Sequence, residues 1–404
     1  MKETRKDHNL ATFCSLVVIL LLLLHPCIAL SSLKTPKELQ SLAHKSTLRK
    51  RGSKNFQKAW RNWLHLSVDS IRNELNRNLP DPVDENELED LSFSLGVAAD
   101  IGEMPSGFSN SGARSGYALD YFCWARLLAD FFIDTDNPTL PMFWQDVFDN
   151  HSFLQNGAEH VNGQNGAERA DGRVCNLTSI GGGPGFDFVG AALVSTFNAG
   201  GEYEKISPIQ ATILDYESGW SNLVEAMNEA TNNVLQTEKK TTCTWGGVCD
   251  VTKPLNHPSN ADCLAKADST SIWTCQYCVA ENAIALRDSD YIFFRNLFEA
   301  VPNDTLFIFS ETTPRLWPEF YALLVDECET NQSMSLQIGF PYKRGPLMVI
   351  QKTSSERTDL PIINKRDMKA LQDFKKYAER HEQLMETGWE RQKSKKFFRR
   401  TSTT

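Results

Sequence analysis

Residues 176–187 read Asn-Leu-Thr-Ser-Ile-Gly-Gly-Gly-Pro-Gly-Phe-Asp, and this stretch limits what the 404-residue chain can fold into. Leu177 to Ile180 is a short apolar run with a β-branched bias, which predicts a buried strand. Gly181, Gly182 and Gly183 follow, then Pro184 and Gly185. Beyond them Phe186, Val189, Leu193, Val194 and Phe197 recur at helical spacing. The order is strand, glycine turn, helix. Such a turn lets a ligand approach bare backbone, and the helix N-terminus favours negative charge.

Two common phosphate-binding loops are excluded. The dinucleotide fingerprint wants glycine or alanine at its sixth position, where this chain has Phe186. A P-loop needs Gly-Lys-Ser/Thr, and the stretch has none. Downstream, Gln210 to Leu214 predicts a second strand ending in Asp215-Tyr216-Glu217, and Ser221 to Leu235 a helix. A third strand falls within 241–251 and ends near Cys249-Asp250; a fourth spans 271–279 and a fifth 305–309. Helices are expected at 290–300 and 317–325. Leu336–Phe340 and Leu347–Gln351 then flank Tyr342-Lys343-Arg344-Gly345-Pro346, a hairpin signal. Strands alternating with helices imply a parallel sheet covered on both faces. The expected fold is α/β: a doubly wound, seven-stranded, mostly parallel sheet with a C-terminal antiparallel hairpin strand, preceded by a helical cap region.

Over roughly 176–353 these features resemble the class I, Rossmann-like S-adenosylmethionine-dependent methyltransferases, whose sheet has an antiparallel last strand inserted by a hairpin. The resemblance implies S-adenosyl-L-methionine as cofactor. It places Gly181, Gly183 and Gly185 in the loop that wraps the methionine end of that cofactor. It assigns Asp215, or Glu217 in its stead, to the ribose hydroxyls, Tyr216 to packing on the adenine, and Asp250 to the adenine amino group. A carboxylate suits the ribose because it accepts from two donors at once; the other reading of each acid is a helix cap or surface turn. One position departs from the family: two residues before the first glycine, where an acid is common, stands Ser179. Gly-Gly-Gly-Pro-Gly followed by Asp187 is similar to a narrower subset that includes ribosomal RNA base methyltransferases.

The segment after the fourth strand faces the methyl acceptor in this family. Here it reads Cys-Gln-Tyr-Cys-Val-Ala-Glu-Asn over 275–282, without Asn/Asp-Pro-Pro-Tyr/Phe or Pro-Cys. Glu281 and Tyr277 are the candidate bases. Methyl transfer is a single in-line displacement, so alignment alone can supply much of the acceleration and no base is obligatory. RNA, protein and small-molecule acceptors stay open. The competing readings are a non-catalytic binding module of the same fold and a nicotinamide-dependent oxidoreductase.

The ends of the chain carry other signals. Lys2, Arg5 and Lys6 precede a nearly all-apolar run from Leu10 to Leu24, and Ala29 offers a cleavage point. Residues 1–29 therefore read as a signal peptide to the secretory pathway. An uncleaved anchor with a lumenal domain is one alternative, and a bipartite plastid leader with the basic 30–54 segment is another. Residues 55–170 read as the helical cap and a flexible loop, 171–353 as the cofactor domain, and 354–404 as a basic tail. The tail, with Lys and Arg clustered over 391–400, reads as solvated chain or as a contact for RNA or an anionic membrane. A net charge of -9 argues against nucleic-acid binding by the whole surface. Ten cysteines are present, eight of them beyond the leader. Their density between Cys243 and Cys278 suggests a disulfide in an oxidising compartment, and the one Cys-x-x-Cys lacks the second pair a zinc site needs, so no metal is expected.

Overall fold

A computed structural model describes residues 54–133, 175–198, 209–236, 241–331, 334–341, 346–353 and 360–401. The leader, the 30–53 segment, the glycine-rich 155–172 stretch and the helix expected at 143–153 lie outside the described residues.

Among the described residues four helices come first: α1 (Lys54–Arg77), α2 (Glu85–Ile101), α3 (Ser111–Asp120) and α4 (Ala125–Ile133). Helix α1 puts Trp60, Trp63, Leu64, Val68, Ile71 and Leu75 on one buried stripe. Asp84 caps α2 by accepting from the amides of Asn86 and Glu87, and Gly102 closes it in the left-handed conformation. The glycine- and serine-rich 107–116 stretch is in part helix α3. Asn110 caps that helix at the Ala113 amide. Its glycines serve close packing: a Cβ on Gly112 would meet Asp84 at 2.7 Å, and one on Gly116 would meet Leu88 at 2.5 Å. A 3₁₀ turn at Phe122–Trp124 separates α3 from α4.

The sheet follows: β1 (Cys175–Ile180), α5 (Phe186–Asn198), β2 (Ile209–Asp215), α6 (Ser221–Leu235), β3 (Thr242–Val248), α7 (Ala261–Lys266), β4 (Ile272–Gln276), α8 (Ala283–Asp288), α9 (Ile292–Ala300), β5 (Leu306–Ser310), α10 (Trp317–Thr330), β6 (Leu336–Gly339) and β7 (Leu347–Lys352). Two more elements close the chain, β8 (Ile362–Ile363) and α11 (Lys365–Thr401). The spatial order is β3-β2-β1-β4-β5-β7-β6-β8. β1 to β5 are parallel, and β7 runs antiparallel between β5 and β6, as the hairpin signal predicts. The sheet has eight strands, not the expected seven. The extra one, β8, pairs in parallel with β6.

Strands β4, β5 and β7 are apolar almost throughout because helices cover both faces. One core joins α1–α4, α5 and α6 to one face of the sheet. The other holds α8–α10 and the start of α11, where Phe374 packs edge-on against Phe340. Among the N-terminal helices, α1 and α4 pack on α5, and α1 also on α6, the helices that cover this face of the sheet. The tail is helical through Thr401.

Candidate functional site

Strand order reverses between β1 and β4. The chain winds outward through β2 and β3 on one side and through β4 and β5 on the other. In open α/β sheets the crevice at such a switch point, outside the carboxyl ends of the strands, is where ligands bind. A cleft of about 330 Å³ opens there, within the roughly 300–1,000 Å³ typical of small-molecule sites. It is lined by Gly181, Gly183, Asp215, Tyr216, Asp250, Tyr277 and Glu281 of the sequence-derived set. Gly185 is not among the lining residues. At φ +93 it turns the chain into α5, and its carbonyl accepts from the Val189 amide.

The glycine turn is held by hydrogen bonds, and the Cys278 side chain packs against Gly181, where a Cβ would meet its Cβ at 2.9 Å and its Sγ at 3.0 Å. Gly181 and Gly183 have φ of +61 and +50. The Gly182 amide donates to the Leu214 carbonyl, tying the turn to β2. Gly182 has no room for a side chain, since a Cβ would meet Ser179 Oγ at 2.5 Å and Ile213 at 2.9 Å. A Cβ on Gly183 would meet no clash, only ordinary contact with the Trp220 and Tyr117 rings at 3.8–3.9 Å. The side of the turn that faces the cleft is bare.

Asp215 stands at the end of β2. Its Oδ2 accepts from the Gly183 amide (2.9 Å) and its Oδ1 from the Glu217 amide (3.0 Å), so it braces the turn as well as facing the cleft. Burial pushes its pKa up to about 6 against those stabilising bonds. Glu217 accepts from the Gly219 amide and lies 3.9 Å from Arg114. Tyr216 is 55% exposed at the rim, with its ring free to cover a ligand. A bulge in β3, with Gly247 at φ +129, redirects the chain towards the rim where Asp250 sits. Asp250 Oδ1 accepts from the amide and hydroxyl of Thr252, the surface-turn role weighed for it. The buried carboxamide of Asn260 holds that turn through the amide and carbonyl of Asp250.

On the β4 side, Tyr277 adopts φ +58 and its ring lies 4.0 Å from that of Trp124. Burial, reinforced by Glu311, raises its phenol well above the ordinary range, so it stays protonated. Glu281 is pushed well up by desolvation and by the neighbouring Glu311 and Asp215. That places the onset of its action as a base at higher pH than for an ordinary carboxylate. Glu311 accepts from the amides of Val279 and Ala280 and so fixes the loop carrying Glu281. Arg315 donates to the carbonyls of Ala99 and Ala280, linking that loop to α2.

The sequence alone missed several contributors. Met104 to Ser109 wall the cleft opposite the sheet. Phe108 anchors that wall against Tyr117 and Trp220, with ring centroids 5.2 and 5.3 Å away. Arg114 donates to the Phe108 carbonyl and lies over the Trp220 ring. Tyr117 also lines the cleft. Gln276, the last residue of β4, also lines it. Ser179, the departure from the family pattern, donates to Asp187 at 2.5 Å, as does Thr274. Asp187 lies in the first turn of α5, where a carboxylate suits the helix dipole. Burial holds its pKa at about 6. Asp187 thus lies beneath the turn, held by Ser179 and Thr274, and is not among the residues that line the cleft.

The cysteines of the described residues are all free, so the disulfide expected somewhere within the 243–278 region is absent. Cys249 instead neighbours Cys263, and Cys275 neighbours Cys278, as hydrogen-bonded thiols. No group of metal-ligating side chains is assembled among the described residues.

No family model matches the chain. The search of curated proteins also finds no match. Solved structures similar to it include precorrin-6Y C5,15-methyltransferase from Geobacter metallireducens, at 9% identity over 45% of this chain and 80% of that one, TM-score 0.25. A candidate class I S-adenosylmethionine-dependent methyltransferase from Listeria monocytogenes aligns at 9% identity over 77% and 99%, TM-score 0.31. The methyltransferase subunit of a type I restriction-modification system from Streptococcus thermophilus aligns at 10% over 85% and 94%, TM-score 0.26. At TM-scores this low the likenesses carry no weight for fold or activity; strand order and cleft stand by themselves. Those define a doubly wound α/β protein with a ligand cleft at its switch point.

Proposed function

We propose that the chain is an S-adenosylmethionine-dependent methyltransferase. The observation that carries this reading is the cleft itself. A bare glycine turn and an acid at the end of β2 meet at the switch point of a sheet whose antiparallel β7 is inserted between β5 and β6. The residues fit the cofactor. Asp215 and Asp250 offer carboxylate acceptors at the β2–β3 end, and Tyr216 supplies an aromatic ring at the rim. When bound, the cofactor supplies a methyl group made electrophilic by its sulfonium.

What the protein contributes is position and charge. Gly183 leaves room for a ligand to lie against backbone. Asp215 holds the turn in its open shape through the Gly183 amide. The Met104–Ser109 wall, anchored by Phe108, screens the cleft from water. Glu281 takes a proton from an acceptor that must lose one, and Tyr277 orients that acceptor by donating. Calorimetry with S-adenosylhomocysteine tests the reading: the full chain binds it, and Asp215→Ala weakens binding about tenfold or more by removing a charged acceptor. Failure of the full chain to bind at millimolar ligand would overturn it.

A further inference from the structure

We propose that Gln276 holds the amino-acid end of the cofactor, taking the place of the acid that β1 lacks. This rests on the cofactor reading above. Gln276 ends β4 and lines the cleft. The residue before it, Cys275, pairs with Ile180, so Gln276 sits beside the start of the glycine turn. Both its Oε1 and its Nε2 are shielded from solvent and have no hydrogen-bond partner. Buried polar atoms of native proteins are nearly always met, and an unmet pair in a cleft wall marks where a ligand's polar groups belong.

The chemistry of the two ends of the cleft differs. At the β2–β3 end the acids Asp215 and Asp250 only accept, which matches ribose hydroxyls and an amino group. At the β4 end the Gln276 carboxamide both accepts and donates. The amino-acid end of S-adenosylmethionine is a zwitterion, with an ammonium that donates and a carboxylate that accepts. By turning into the cleft that its residue lines, the carboxamide meets both, its oxygen on the ammonium and its nitrogen on the carboxylate. Ser179 cannot serve instead, because its hydroxyl donates to Asp187 beneath the turn. Asn282, the other carboxamide of the cleft, has its nitrogen donated to the Cys278 carbonyl.

The test compares two probes that share an adenosine thioether: S-adenosylhomocysteine, which carries the amino-acid end, and 5′-methylthioadenosine, which lacks it. Calorimetry on the full chain should show the first binding more tightly. Gln276→Leu should cut affinity for S-adenosylhomocysteine about tenfold or more while leaving 5′-methylthioadenosine within about twofold. Gln276→Met, which keeps the length and removes both polar atoms, should also reduce the preference, and circular dichroism reports that each variant is folded. An unchanged preference in both variants overturns the assignment and gives the carboxamide to the acceptor side of the cleft. Equal loss of both probes in folded variants overturns it too. If the unmodified chain binds neither probe, the cofactor reading fails and takes this one with it.

Discussion

Asp187→Asn gives the sharpest stability test of the turn. Asp187 Oδ2 accepts from Ser179 on β1 and Thr274 on β4, and burial holds the carboxyl at about 6 against an ordinary 3.8. The folded state therefore binds this proton more tightly than the unfolded chain does. The stabilisation is fully present below the unfolded value and is lost as pH rises through about 6. Two pKa units correspond to about 3 kcal/mol, of which about 2 kcal/mol falls between roughly pH 4.5 and 7.5. Asparagine keeps an oxygen for the two hydroxyls and does not titrate. Urea denaturation of both chains across that range should show the gap in stability moving by about 2 kcal/mol in favour of the variant as pH rises. Parallel profiles would refute the claim that a desolvated carboxylate lies beneath the turn.

Other outcomes follow from the same geometry. Gly183→Val should fold at a cost of about 1–2 kcal/mol for a left-handed side chain, yet lose S-adenosylhomocysteine binding in calorimetry, because its methyl groups enter the cleft. Gly182→Val, meeting Ser179 at once, should fail to give soluble folded chain by circular dichroism. The rate of methyl transfer at saturating cofactor should rise with pH as Glu281 ionises above the usual carboxylate range, and Glu281→Gln should flatten that limb in a pH–kcat profile. Iodoacetamide followed by mass spectrometry should label exposed Cys123 in the native chain, whereas Cys175 and Cys243, buried and with raised pKa values, should react only in denaturant.

The strand–turn–helix at 175–198 is legible because glycine and apolar periodicity there have one reading between them. The β6–β7 hairpin is legible for a similar reason: two apolar runs flank a Gly-Pro turn. Gly112 and Gly116 defeat the same logic, since glycine that permits a turn also permits two helices to touch. β8, two residues long, carries no periodicity at all. Within the site, Asp215 is found from its place after a strand, but the bond from Gly183 that gives it a second task spans 32 residues of chain. The Ser179–Asp187 pair is hidden for the opposite reason. The residues are eight apart, and only the turn between them folds one over the other. Tyr117 and Arg114 reach the cleft from the N-terminal helices, and no local pattern separates an aromatic that lines a cleft from one that fills a core.

Hydrogen exchange of the full chain, with and without saturating S-adenosylhomocysteine, tests the central claim most directly. The amides of 181–185 and 215–217 should become protected on binding, while the edge around β8 stays unchanged. Binding that leaves exchange at the glycine turn untouched would contradict the account.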